Sequence, residues 1–228
     1  MKKIAILQSN YIPWKGYFDL INSVDEFILY DEVQYTKNDW RNRNKIKTPT
    51  GVHWITIPVF QTSLEQTIHE TKVSDVKWAR KNWNTLVANY SKAPNFNQYK
   101  GVFEELYMNC NSEYLSDINY SFIKSINTIL NIKTELLWSR DLELHGDKNE
   151  RLIQVCKKRN ATHYLSGPAA KDYLDVKLFE ENGIAVEWMN YSGYKEYEQL
   201  LPPFEHGVSI LDLIFNTGDD ASIYMNSF

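Results

Sequence analysis

Four consecutive apolar residues, Ile4-Ala5-Ile6-Leu7, open this chain between Lys3 and Gln8. A short unbroken run of this kind is the pattern of a strand buried on both faces of a parallel sheet. After the segment Gln8 to Trp14, residues Lys15 to Ser23 carry Tyr17, Phe18, Leu20 and Ile21 at helical spacing, and Phe27-Ile28-Leu29-Tyr30 is a second apolar run. Strand, loop, helix and strand make a βαβ unit. The crossover rule makes it right-handed and puts its first loop at the carboxyl edge of the sheet, where open α/β folds bind ligands.

Between Val33 and Val59 the texture changes to alternating residues around Thr48-Pro49-Thr50-Gly51, which predicts a hairpin. Residues 76–131 show helical periodicity, with Trp78, Trp83, Leu86, Val87 and Tyr90 on one helix and Leu115, Ile118, Phe122, Ile126 and Ile129 on another. They are read as an insertion or a flanking layer. The α/β texture then returns with strands at 135–138, 163–166 and 184–188, a helix at 149–159 and a final amphipathic helix at 208–215. The expected fold is a Rossmann-like, mostly parallel α/β sheet with a helical insertion and a β-hairpin, in one domain spanning 1–228.

The chain's 228 residues suffice for one large domain with its own core. A net charge of −4 argues against a broadly basic surface for DNA, and no apolar run approaches the roughly 18 residues of a membrane span. The apolar start is too short for a signal peptide, so a cytoplasmic location is expected. Cys110 and Cys156 lack metal-ligand spacing and are read as buried thiols, and no metal site is indicated. Aromatic residues reach 14%, enough to supply stacking surfaces as well as a core.

Three segments could carry chemistry. In the loop from Gln8 to Gly16, backbone N–H groups at the following helix would meet phosphates, with Lys15 adding charge. Gln8, Asn10, Tyr11, Trp14, Lys15 and Gly16 are the candidates here; the competing reading is an ordinary βα loop in which Pro13 and Trp14 only pack. From Thr36 to Thr48, five cations, Lys37, Arg41, Arg43, Lys45 and Lys47, face the single acid Asp39. Period-two spacing puts the last four on one strand face, beside Tyr35 and Trp40 for stacking a base. A solvated edge strand is the competing reading. In the third, Phe204-Glu205-His206-Gly207, a Glu-His pair suits proton transfer, or a capping role at a helix entrance. Asp31 and Glu32, at the end of the second strand, could bind a ribose, a metal-bound phosphate or an amine.

Part of this pattern is similar to the nucleotidyltransferase and pantothenate-synthetase superfamily. Trp14-Lys15-Gly16-Tyr17 stands where those proteins carry His-x-Gly-His, keeping the glycine and losing both histidines. Leu165-Ser166-Gly167-Pro168-Ala169-Ala170-Lys171 resembles their second ATP-contacting stretch, which adds Ser166, Gly167 and Lys171 as candidates. The blocks Gln8 to Phe18, Tyr30 to Tyr35 with Trp40 to Arg43, Tyr164 to Ala170, and Phe204 to Asp212 resemble the WbqC-like protein family over nearly the whole chain.

That resemblance implies work on nucleotide-linked sugars in bacterial O-antigen or capsule synthesis. The expected function is an acyl- or aminoacyltransferase, or ligase, that forms an amide on the amine of a nucleotide-linked amino sugar. In this scheme Arg41, Arg43 and Lys45 hold the diphosphate, Tyr35 or Trp40 stacks the base, Asp31 or Glu32 contacts the amine, and Glu205 with His206 manages protons. The donor is left open among ATP activation, a coenzyme A thioester and an aminoacyl-tRNA. The alternatives are a nucleotidyltransferase acting on a sugar phosphate and a non-catalytic nucleotide-sugar-binding protein.

Overall fold

The structure is a computed structural model that describes all residues from 1 to 228. Its elements run β1 (Lys3–Leu7), α1 (Lys15–Asn22), β2 (Glu26–Leu29), β3 (Arg43–Thr48), β4 (Gly51–Thr56), α2 (Trp78–Tyr90), α3 (Phe96–Met108) and α4 (Leu115–Ile129). Then follow β5 (Glu135–Trp138), α5 (Lys148–Lys158), β6 (His163–Ser166), α6 (Val176–Glu181), β7 (Ala185–Trp188) and α7 (Ile210–Thr217).

Five strands form one sheet in the order β5-β2-β1-β6-β7, with every pair parallel. The chain steps outward from β1 to β2 and β5, then returns to the other side of β1 and continues through β6 to β7. This is the doubly wound arrangement, and its direction reverses between β1 and β6. The apolar runs are buried on both faces by simple alternation. Ile4, Ile6, Ile28, Tyr30 and Tyr164 face the layer that holds α5 and α6, whereas Ala5, Phe27, Leu29 and Leu165 face the layer with α1, α4 and α7.

The segment 76–131 contains three helices rather than the two whose faces were named from sequence. The additional one, α3, buries Phe96, Tyr99, Phe103 and Tyr107 at intervals of three to four residues. Its rings meet those of neighbouring helices, with Phe96 and Phe103 centred 5.0 and 5.4 Å from Phe215 and Trp83 6.0 Å from Phe96. Much of the aromatic excess is therefore core. The last helix is also more enclosed than its amphipathic pattern predicts. Ile210 through Asn216 are all buried, because the helix lies between the β1 layer and α2–α3. Asp212 on it accepts from the hydroxyls of Tyr90 and Tyr197 and from Gln199 at 2.8–2.9 Å, while burial pushes its carboxyl above the usual aspartate range.

The hairpin β3–β4 forms a separate two-stranded ribbon. Pro49 and Thr50 connect its strands, and Gly51 takes φ +113° at the turn, a conformation that disfavours any side chain. Both cysteines are free thiols, Cys156 fully buried and Cys110 half-buried. No helix is long and apolar enough to cross a membrane.

Candidate functional site

The loop after β1 is fixed from four directions. Ser9 donates its backbone N–H to Asp31 at 2.8 Å, and Tyr11 donates its own to the Trp40 carbonyl at 3.1 Å. Asn44 on β3 reaches the carbonyls of Tyr11 and Ile12 with one amide group, at 3.1 and 2.9 Å. Ser209, which caps α7, donates to the Ile12 carbonyl at 2.7 Å. These contacts hold Ile12 at φ +38°, a left-handed conformation that is costly for a β-branched residue. Such strain persists where the surroundings over-determine a loop, and it is concentrated at functional sites.

Above the carboxyl ends of β1 and β2 lies a cleft of about 460 Å³, within the usual range for a small-molecule site. Three cations converge on it. Arg41 comes from the segment before β3, and Lys148 and Arg151 come from the first turns of α5. Arg41 bonds Asn10 and lies 3.5 Å from Asp39; Arg151 donates to the Gly146 carbonyl at 3.0 Å and meets the Tyr30 hydroxyl. Lys148 lies over the Tyr173 ring at 3.1 Å, and burial lowers its ammonium pKa. The α5 N-terminus also borders the cleft, with its Asp147 and Glu150 N–H groups taken by a reciprocal capping box. A recess of about 120 Å³ continues the cleft inward between Gln8, Ser166 and Gly167. A larger groove of about 550 Å³ is built from surface loops, with Lys37 as its one charged residue and no sheet strand in its wall.

On the other side of the loop is a cavity of about 330 Å³ between Trp14 and Trp40, also walled by Asn10, Asn44 and Gly207. The Arg41–Asn10 hydrogen bond joins the two spaces. Trp14 folds back over the start of α1 against Tyr191, ring centres 5.3 Å apart, and a Cβ on Gly16 would overlap its ring. Gly16→Ala should therefore push the indole out of place at a cost of about 1–3 kcal/mol, the usual range for overpacking. Chemical denaturation reads that loss, and an unchanged midpoint would show that the ring moves freely.

The sequence-predicted residues divide between these spaces and the interior. Gln8, Asn10, Trp14, Trp40, Arg41, Ser166 and Gly167 line the cleft, its recess or the second cavity. Tyr11 does not: it is fully buried, its hydroxyl 2.5 Å from that of Tyr107, because Asn44 and Ser209 turn the loop inward there. Tyr35 is buried beside the surface groove and offers no open face to a base. The strip of cations also separates. Arg41 precedes β3 and enters the cleft, Arg43 and Lys45 stay on the ribbon's outer face, and Lys47 is buried with its amine on the Pro203 carbonyl. Lys171 is exposed, 5.5 Å from the Trp188 ring.

Asp31 is 0% exposed, and its two oxygens accept from Ser9 N–H at 2.8 Å and from the Ser116 hydroxyl at 2.6 Å. It ties the loop to the start of α4 and faces none of the spaces described. Glu205 accepts from the Gly207 N–H at 2.7 Å, so it shapes its own turn. His206 packs edge-on to Phe204 at 4.5 Å, and its Nδ1 is enclosed without a partner. Burial, then the Lys15 charge, lower its pKa, which favours the neutral, proton-accepting ring.

Lys15 lines none of these spaces. It is 3% exposed, with its amine 3.3 Å from the Lys195 carbonyl and 4.6 Å from the Tyr194 ring centre. Burial brings its pKa down from 10.5 to about 8, against the opposing pull of Asp19. The folded protein thus releases this proton before the unfolded chain does, so the amine makes stability rise as pH goes from about 8 to 10.5. Lys15→Met should flatten that rise in urea midpoints taken across the window; an unaltered slope would assign it to another group.

Lys148, Arg151, Tyr30 and Tyr173 were not singled out from sequence. The available signal was Asp147-Lys148-Asn149-Glu150, a helix-start signature just after an apolar strand. In a parallel sheet that start lies at the ligand-binding edge.

The fold and site thus define a doubly wound α/β protein with a cationic cleft at the carboxyl edge of its sheet, from which a small recess reaches β6. The chain belongs to the WbqC-like protein family, whose model matches residues 8–224. It is 48% identical over 226 residues to the uncharacterized protein Rv1507c of Mycobacterium tuberculosis, covering 99% of this chain and 98% of that one. No solved structure matches it.

Proposed function

We propose that the protein binds a nucleotide-linked amino sugar over the carboxyl ends of β1 and β2 and forms an amide on the sugar's amine, for bacterial surface polysaccharide. The convergence of Arg41, Lys148 and Arg151 on the cleft is the observation that carries the reading. Guanidinium and ammonium groups beside a helix N-terminus suit a diphosphate, and the contiguous spaces leave room for base and sugar.

In the reaction the sugar amine attacks the activated acyl carbon of the donor. A C–N bond forms, the bond from acyl carbon to leaving group breaks, and the amine gives up one proton. His206, a base kept neutral by burial and by Lys15, is the group proposed to take it; its neighbour Gly207 walls the cavity between Trp14 and Trp40. Glu205 holds that turn and Asp31 holds the loop, so both are positioning residues in this scheme.

The test incubates the purified protein with a dTDP-amino sugar and, in turn, ATP with an amino acid, an acyl-coenzyme A, and an aminoacyl-tRNA. A mass gain on the sugar with release of the donor's leaving group is expected from one of them. No product with any donor, despite tight sugar binding, favours the binding-protein alternative. Pyrophosphate released from a sugar phosphate and a nucleoside triphosphate favours nucleotidyl transfer.

A further inference from the structure

The outer face of the ribbon β3–β4 is left unused by the cleft. Trp40 and Trp54 stand there with ring centres 5.1 Å apart, tilted by 48°, and remain 41% and 44% exposed. Solvent-facing indoles in contact with each other are a common device of surfaces that bind flat rings. The Arg43 guanidinium lies 4.0 Å from the Trp54 ring centre, and the Lys45 amine lies 5.4 and 5.8 Å from Trp54 and Trp40.

Neither cation has a carboxylate partner. Arg43 bonds only the side chain and carbonyl of Asn38, with its Nε enclosed and unpartnered. The nearby acid, Asp39, is taken up by Thr36, the Trp40 N–H and Arg41. A face with two part-exposed indoles and two cations that no carboxylate pairs matches the two halves of a nucleotide: π surface for the base and charge for the phosphate. Trp40 also walls the cavity that the Asn10–Arg41 hydrogen bond joins to the cleft. A ligand on the ribbon therefore borders the space where the sugar amine would lie.

From this geometry we infer a second nucleotide site, separate from the cleft, in which Trp54 and Trp40 take an adenine ring and Arg43 and Lys45 take its phosphate. It rests on the amide-forming reading only in its purpose, which is to hold the activated donor. An adenylate, coenzyme A and the 3′ end of a transfer RNA share an adenosine phosphate, so one site serves each chemistry considered.

Fluorescence or calorimetric titration of the full chain with ATP, with coenzyme A and with an RNA hairpin ending in CCA tests the inference, each beside a dTDP-sugar titration. At least one adenine probe should bind. Trp54→Ala should weaken that binding at least tenfold while dTDP-sugar affinity stays within twofold. Arg43→Ser is the second variant, in case the first alters the ribbon, and it should lower affinity and flatten the salt dependence of the same probe. The probe that binds identifies the source of the adenosine. If no adenine probe binds wild type, or if both variants bind it as wild type does, the site is refuted even when the cleft holds the dTDP-sugar. If adenine binding obeys these variants while no sugar binds, the amide-forming reading fails and the second site stands.

Discussion

Replacing Arg41 and Arg151 together by alanine is expected to weaken dTDP-sugar binding by about a thousandfold. Hydrogen bonds to charged groups contribute on the order of 1.5–3 kcal/mol each, so each single change should cost about 30-fold. Both guanidiniums line the cleft, but they enter from opposite sides, one ahead of β3 and the other on the first turns of α5. Full additivity is an upper bound, because cations at one diphosphate couple. Calorimetry at two salt concentrations checks the result, since loss of a phosphate contact also lowers the salt dependence. Lys177→Ala, at an exposed pair with Glu181, is the surface control. Arginine variants that bind like this control would remove the cleft from the proposal.

This first expectation could be only half written from the sequence. Arg41 is visible as one of five cations in thirteen residues, and the loop it meets is visible as the segment after an apolar strand. Its partner Arg151 is 110 positions away in a segment whose local pattern says only helix. Folding brings the two together because β5 lies at the sheet's outer edge and the chain must return past β1 to form β6, which places the α5 N-terminus at the sheet's carboxyl edge beside β1 and β2.

Asp31→Ala should act on stability rather than on chemistry, lowering it by about 3–5 kcal/mol. The change leaves the Ser9 N–H and the Ser116 hydroxyl buried without an acceptor, at roughly 1–3 kcal/mol each, and opens space in a fully enclosed site. In a chain of this size a melting temperature lower by about 6–20 °C is expected. The loop 8–14 loses one of its four anchors, so dTDP-sugar affinity should fall with stability. A catalytic carboxylate would behave differently. It would leave the melting temperature and binding in place and remove turnover alone, and that result would return Asp31 to the reacting atoms.

Most of the local structure, though not α3 or α6, is legible in the residues alone. Continuous apolar runs at 4–7 and 27–30 mark strands within a residue of their observed ends, because a strand buried on both faces needs no other pattern, and the edge strand at 135–138 is marked by Leu136-Leu137-Trp138. Helical spacing gave α1, α2, α4 and α7, and Thr48-Pro49-Thr50-Gly51 gave the ribbon's turn. Tertiary structure alone decided the strand order and the direction of each long cation. Lys15, Arg41, Arg43 and Lys47 look alike as letters, yet one is buried under Tyr194, one enters the cleft, one lies on Trp54 and one reaches the Pro203 carbonyl. A lysine or arginine has a flexible apolar stem, so its local sequence does not fix where its charge ends. The packing around it does, and most of that packing comes from residues distant in the chain.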